Sequence, residues 1–389
     1  MALARAERGL SVDPASIDRD FALAPTYDAA ADFAQARDNG RIQAWLDGLA
    51  PRSADYWNLV KARAPYAAAV AAGGWAPIGP GKAPKVGAAD PRAPALRERL
   101  AAEGYAAPPP PDPKIYDPAL ALALSAFQAA HGLEASGRLT EETIAALNVP
   151  AADRLAVIDA NLVRARWLPT QPPPDRIEVD TGDPQTTLFQ AGKPVLTMRA
   201  IVGQPHKRTP TFAAAVTAVQ FNPPWVVPAD IARGELYPKG RGYLARNGFH
   251  VSGGQLIQRA GPRSALGFLK FVVEDPFSVY LHDTPSRSLF ARDARWLSHG
   301  CVRLANPRDL AAALLAQQGG SRATVDAAIE ARATTTTRLT SEVPLYIVYR
   351  TALADGDGHA TFRPDVYGWD GELARATARP ADRARADAH

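Results

Sequence analysis

"YLHDTPSRSLFARDARWLSHGCVRLANP", residues 280–307, holds the only cysteine of a 389-residue chain, Cys301, and two of its seven histidines, His282 and His299. A lone cysteine is most often a small buried hydrophobe. The neighbours of this one argue for a reactive thiol instead. Gly300 leaves the backbone open to close approach by a ligand. His299 and Arg303 flank the sulfur with potential positive charge, which favours thiolate. Asn306 and Pro307 open the helical stretch "PRDLAAALLA", so a helix N-terminus lies a few residues on.

A cysteine nucleophile needs a base within hydrogen-bond reach and fixed donors for an oxyanion. His282 ends the strand-like "SVYLH", and the loop "DTPSRSLFARDARWL" can return the chain so that His282 faces Cys301. The backbone N–H groups of His299, Gly300 and Cys301 are the natural oxyanion donors. A third group must orient the imidazole. Asp283 is adjacent, but on a strand its side chain points to the opposite face, so its backbone carbonyl is the expected partner. A metal site built from His282, His299 and Cys301 is the rival chemistry. Three ligands without a carboxylate or a second cysteine make a thin case, because structural zinc takes four.

Outward from this stretch, residues from about 175 read as strands: "RIEVDTG", "TTLFQAGKPVLTMRAIVG", "AVTAVQFNP", "FLKFVVED" and "SVYLHD", with "FQAGKPVL" a hairpin on its Gly. "NPRDLAAALLAQQGG" and "SRATVDAAIEARA" return to helix. "VPLYIVYRTALADGDGHATFRPDVYGW" is another hairpin, with its turn at "DGDG". Upstream, residues 92–150 give three helices: "APALRERLAAEGY", then after the bridge "AAPPPPDP" the pair "PALALALSAFQAAHGLEASGRL" and "TEETIAALN". Thr140 is the expected N-cap of the last. Residues 1 to about 75 are helical as well, with Leu46, Leu49, Tyr56, Leu59 and Tyr66 as core, a cap at Ser53 and a stop at Gly73-Gly74.

Composition bounds the rest. Hydrophobic residues at 47% and charged residues at 22% are ordinary for a globular chain, and 389 residues imply two or three domains. A single cysteine excludes an intrachain disulfide and a multi-cysteine zinc site. The net charge of +4 is spread without a basic, aromatic-laced stripe, so nucleic acid is not an expected partner. No run of about 18 apolar residues is present, so no transmembrane segment is expected. "MALARAERGLSVDP" lacks the apolar core of a secretory signal.

"SHGCVRLANP" with "YLHDTP" upstream resembles the signature of the L,D-transpeptidases, enzymes that cross-link bacterial peptidoglycan. "IVGQPHKRTP", "FNPPWVVP", "GPRSALGFLKF", "YLHDTPSRSLF" and "FRPDVYGWD" are similar to segments of its large three-domain members. "ALSAFQAAHGLEASGRLTEETIAALN" resembles a peptidoglycan-binding domain. In total the resemblance covers roughly residues 25–372. It implies an α+β multidomain fold: a helical scaffold region over 1–85, a three-helix peptidoglycan-binding-like bundle over 86–150, and a linker helix over 151–174. A β-rich catalytic domain would follow over 175–372, with a short capping loop, a cap subdomain over about 226–264, and then a basic tail over 373–389.

The resemblance also implies roles. Cys301 is the nucleophile, His282 its base, and Asp283 supplies its carbonyl. His299 and Gly300 count with them as catalytic, and His299 and Arg303 shape the pocket and hold substrate carboxylates, Arg303 by its fork. Tyr280, Trp225 and Asn306 are further pocket residues, although core packing suits the two aromatics and a helix cap suits Asn306 equally well. His250, in the cap, is expected on an exposed loop. No cofactor and no metal are required. Peptidoglycan stem peptides and glycan are the expected partners, and the periplasm the expected location, the signal peptide being absent from this sequence. The expected reaction is acyl transfer through a thioester to a diaminopimelate amine, giving 3–3 links. A short cap would leave room for 1–3 links. An L,D-carboxypeptidase that passes the acyl group to water, or a non-catalytic wall-binding protein, are the alternatives.

Overall fold

The computed structural model describes residues 2–23 and 28–377, which form two compact units. Of the described residues, one comprises 2–19, 28–172 and 350–377, and the other 20–23 and 173–349.

The first unit is mainly helical: α1 (Ala2–Glu7), α2 (Ala29–Asp38), α3 (Ile42–Asp47) and α4 (Ala54–Ala71), then α5 (Ala93–Ala101), α6 (Pro118–Ala130), α7 (Glu141–Leu147) and α8 (Ala151–Trp167). Ser53 caps α4 by accepting the Tyr56 N–H at 3.4 Å, and Gly73 and Gly74, both at positive φ, follow its end. Tyr56, Leu59, Ala62 and Tyr66 recur at helical spacing and bury one face of α4 against Ile158 and Leu162 of α8. Leu49 is buried as expected. Leu46 is not: it is 40% exposed, because α3 is a short helix that buries none of its residues.

In α5–α7 the core is Leu96, Leu100, Leu120, Leu124, Phe127, Ile144 and Leu147. Thr140 accepts the Thr143 N–H at 3.2 Å, capping α7. A polar cluster is sealed inside this unit. Glu103 pairs with Arg99, lies 3.1 Å from His131 Nε2 and accepts the Tyr66 hydroxyl at 3.0 Å. Burial works against ionising Glu103, but its contacts with His131 and Arg99 outweigh that and hold the carboxyl down to about 2.

The second unit is built on a nine-stranded sheet. Its strands are β1 (Arg176–Asp180), β2 (Gln185–Gln190), β3 (Lys193–Gly203) and β4 (Phe212–Phe221), joined after a separate three-stranded sheet by β8 (Leu269–Val273), β9 (Leu281–His282), β10 (Trp296–Ser298), β11 (Val302–Leu304) and β12 (Thr335–Val348). The order is β10-β3-β11-β9-β8-β4-β12-β1-β2. Long β3 pairs with β2 along its first half and with β11 at Ala200 and Ile201, so the hydrogen bonding closes on itself. Alternate residues such as Val179, Val216, Val219, Phe271, Leu281 and Val302 fill the core. Leu310, Leu314, Val325 and Ile329, from α11 (Pro307–Leu315) and α12 (Arg322–Glu330), pack on the same cluster. Asn222, at φ +47, turns the chain out of β4 and gives its amide to the carbonyls of Ala328, Ile329 and Ala333 at the end of α12.

The stretch expected to be a short cap folds as follows. It holds β5 (Trp225–Val226), α9 (Ala229–Ile231), α10 (Gly240–Arg246), β6 (Phe249–Ser252) and β7 (Gln255–Gln258), with the sheet order β5-β7-β6. Val227, Ile231, Ala232, Leu236 and Leu256 give it a core of its own. His250 is therefore not on an exposed loop. It sits half-buried on β6, in register with Ile257.

The hairpin β13 (Ala352–Ala354) and β14 (Ala360–Phe362) belongs to the helical unit, where Ala352 and Phe362 pack with Tyr66 and Ile158. The catalytic domain was expected to run to 372, whereas the sheet unit ends at Tyr349. Residues 373–377 of the expected basic tail finish α13 (Trp369–Thr377), and 378–389 lie outside the described residues. Among the described residues no helix is long and apolar enough to cross a membrane.

Candidate active site

Two parallel strands build the site. β11 runs beside β9 with Val302 opposite Leu281 and Arg303 opposite His282, and the Val302 N–H donates to the Tyr280 carbonyl at 3.1 Å. Leu281 and Val302 are fully buried in the core beneath. By strand alternation Tyr280, His282, Cys301 and Arg303 share the other face. The next strand, β8, adds Lys270 directly opposite His282.

His282 is buried, and its Nδ1 donates to the Asp283 carbonyl at 2.5 Å. This is the contact expected from strand alternation. It fixes the tautomer and leaves Nε2 as the free nitrogen. Burial, then the charges of Arg303 and Lys270, push the His282 pKa down to about 3, so the imidazole is neutral around pH 7. The Asp283 carboxylate turns the other way. It accepts the Phe268 N–H at 3.0 Å and the Arg287 guanidinium at 3.0 Å. Gly267, at φ +60, is obligatory beneath it: a Cβ there would meet the Asp283 Cγ at 2.5 Å.

Cys301 is partly exposed, yet protein atoms crowd its sulfur. Burial pushes the thiol pKa up, while hydrogen bonding from Tyr280 and the charge of Lys270 oppose the rise. Among the described residues no hydrogen bond joins Cys301 to His282. Sγ approaches the Ser278 carbonyl at 3.9 Å. The preceding loop is braced. Ser298 Oγ donates to the Cys301 carbonyl at 2.6 Å and accepts the Gly300 N–H at 3.2 Å, and Thr209 Oγ1 donates to the Gly300 carbonyl at 2.7 Å. Gly300 has φ +115, and a Cβ would press on the Arg208 carbonyl at 3.4 Å. The Gly300 N–H is therefore already bonded, which leaves those of His299 and Cys301 from the expected trio of donors.

Around the thiol the other expected residues divide. Tyr280 lies with its ring 5.6 Å from that of His282, and its hydroxyl interacts with both Cys301 and the Trp225 side chain. Trp225 serves the cap core at the same time, edge-on to Phe249. Arg303 is half-buried with no carboxylate partner among the described residues. Burial lowers its pKa, opposed by Cys301. His299 faces the cap, where its Nε2 lies 2.6 Å from Glu235, which also takes Lys207 at 3.3 Å. Asn306 precedes α11 but caps nothing with its side chain, which is exposed. For the rival metal reading, the group of ligand atoms that does converge among the described residues is Asp355, Asp357 and His359, in the β13–β14 turn, and not His282, His299 and Cys301.

Sequence reading missed Lys270, Glu235 and Ser298. A lysine interrupting the apolar run "LKFVV" was a signal for the first. Nothing in the sequence marks Glu235, whose meaning lies in a contact with His299.

Residues 174–327 match the L,D-transpeptidase catalytic domain family, and residues 90–147 match a family provisionally named as a peptidoglycan binding domain. The chain is 30% identical over 208 residues to a Haemophilus influenzae protein named, also provisionally, as an L,D-transpeptidase, a match covering 48% of this chain and 42% of that protein. Solved structures that resemble it include an L,D-transpeptidase from Mycobacterium smegmatis, 17% identical, covering 45% of this chain and 58% of that one at a TM-score of 0.25. Another comes from Stackebrandtia nassauensis, 15% identical, covering 69% and 96% at a TM-score of 0.24.

Proposed function

We propose that this chain, whose residues 174–327 belong to the L,D-transpeptidase catalytic domain family, joins peptidoglycan stem peptides through a thioester on Cys301. The observation that supports this most is the shared sheet face: a thiol, a neutral imidazole locked by its Nδ1, and a guanidinium with no carboxylate partner among the described residues, on adjacent strands.

In this reading Cys301 Sγ attacks the carbonyl carbon of an L residue followed by a D residue. His282 Nε2 takes the thiol proton as the bond forms. The N–H groups of Cys301 and His299 steady the oxyanion. Collapse of the tetrahedral intermediate breaks the peptide bond, and His282 returns the proton to the departing amine. A diaminopimelate side-chain amine then attacks the thioester and restores the thiol. Arg303 holds a substrate carboxylate, which suits a cation left without an internal partner. Tyr280 and Trp225 wall the groove, and Asn306 stands exposed at its end. The bundle matched over 90–147 holds glycan, and the work is done at the wall, in the periplasm.

The default product is a 3–3 link, with D-Ala as the leaving group. The 1–3 reaction leaned on a short cap, and a folded cap tied to His299 through Glu235 weakens that reason. The test is mass spectrometry of disaccharide-tetrapeptide muropeptides incubated with the protein beside Cys301→Ala. Cys301-dependent dimers with loss of D-Ala support the proposal, and loss of everything beyond L-Ala would indicate 1–3 links. D-Ala release without dimers would make the protein a carboxypeptidase. No Cys301-dependent product would sink the catalytic reading.

A further inference from the structure

One charged residue of the site has no place in the chemistry above. Lys270 stands on β8 opposite His282, and its ammonium rests 4.1 Å from the centre of the Tyr280 ring. It is half-buried, and among the described residues it makes no ion pair and no hydrogen bond. A lysine ammonium is strongly hydrated, so withdrawing it from water without a carboxylate is unfavourable. Contact with an aromatic face recovers only a small part of that loss. An uncompensated cation in this position calls for a negative charge nearby.

We propose that Lys270 is the fixed counter-charge of the Cys301 thiolate, held on the same face of the sheet by strand register and by the Tyr280 ring. The proposal rests on Cys301 being the nucleophile and adds to that reading the group that makes its anion accessible.

The other charges around the sulfur show why such a group is needed. In many cysteine enzymes a protonated histidine stabilises the thiolate. Here His282 is sealed between Arg303 and Lys270 and is neutral, so it supplies no charge. His299, on the loop before Cys301, is engaged by Glu235, which Lys207 also neutralises. Asp275, between β8 and β9, acts against the thiolate. Tyr280 donates a hydrogen bond but carries no charge. Arg303 and Lys270 remain, and Arg303 is the residue assigned to substrate. Burial lowers the Lys270 pKa and the Cys301 charge opposes that, so ammonium and thiolate support one another, in an interaction that burial leaves less screened.

The experiment is alkylation of the free protein by iodoacetamide across pH, read as loss of the Cys301 thiol by mass, with Cys301→Ala as blank. In Lys270→Met the inflection should move up by about one pH unit, so that alkylation at a fixed lower pH slows about tenfold. Lys270→Arg should hold the wild-type inflection. Lys270→Gln carries the same expectation as Lys270→Met should the latter fail to fold. A folded Met or Gln variant that keeps the wild-type inflection overturns the proposal. So does an arginine variant that shifts as far as methionine. The measurement contains no substrate. Loss of cross-linking by the wild type would refute the enzyme assignment without touching this result, and an unmoved inflection would refute Lys270 alone.

Discussion

A neutral, deeply desolvated His282 makes a prediction that an ordinary catalytic histidine would not. With an unperturbed pKa near 6.5, only about 3% of a histidine population is neutral at pH 5, and a reaction needing the free base would fall about thirtyfold between pH 8 and pH 5. With the pKa pushed down to about 3, His282 stays almost wholly neutral at pH 5. The acylation half-reaction should therefore show no His282 limb across that range, any remaining slope belonging to ionisation of Cys301. The assay is single-turnover release of D-Ala from a donor stem with no acceptor amine, which removes titration of the acceptor from the profile. A one-proton acid limb centred near pH 6.5 would refute the reasoning. The same shift appears in stability. The unfolded chain takes up a proton below about pH 6.5 that the folded chain refuses down to about pH 3. Stability from this group is thus complete above pH 6.5 and is lost as pH falls, by about 2 kcal/mol at pH 5. His282→Gln should lack that part of the acid sensitivity in urea melts.

Further predictions concern the scaffold. Glu103→Gln leaves Arg99 and His131 facing a neutral group inside the helical unit and should destabilise it by about 3–5 kcal/mol at pH 7, read by denaturant unfolding. Wild-type stability from Glu103 should persist above about pH 4.5 and disappear as pH falls towards 2, since its carboxyl is held down there. Gly267→Ala drives a Cβ into the Asp283 carboxylate at a positive φ, and should cost about 2–3 kcal/mol and reduce acylation by disturbing the carbonyl that orients His282. An alanine variant of wild-type stability and activity would contradict the close packing. Glu235→Gln removes a surface tie worth about 1 kcal/mol or less, so global melting should hardly move. Tryptic cleavage within the cap should quicken up to about fivefold. An unchanged digest would show that the cap is held by its own core alone.

Where the sequence was readable, local physics set the structure. Strand alternation sent the Asp283 side chain away from its carbonyl, and this survives in the folded chain because Leu281 must face the core. The caps at Ser53 and Thr140 were legible for a similar reason, since a cap is satisfied within three residues. Leu46 failed because helical spacing says which residues share a face and not whether anything covers it. The cap was expected to be short, and what its prolines and glycines hid is the return of β5 to β7 from a distance in sequence, β6 and β7 themselves pairing locally across Gly253-Gly254. Likewise Gly300 looked like an oxyanion donor, while its N–H is taken by Ser298, a residue that only the turn itself brings into range.

The electrostatics of the site follow from the same register. A histidine placed between Arg303 on one strand and Lys270 on the other cannot rest as a cation, because two fixed charges and burial all oppose a third. Losing the imidazolium has a consequence for transfer. In the proposed mechanism a base that hands its proton to the departing amine is free again to take one from the incoming amine, without first losing one to water. Lys270, in the role proposed for it, meanwhile keeps negative charge favourable on the sulfur each time it leaves. Removing Arg303 should then act on both halves at once, raising the His282 pKa and weakening hold on an anionic donor, so Arg303→Gln should restore an acid limb to the pH profile while raising KM. A variant that raised KM and left the profile flat would assign Arg303 to substrate alone and leave Lys270 and burial as the causes of the neutral imidazole.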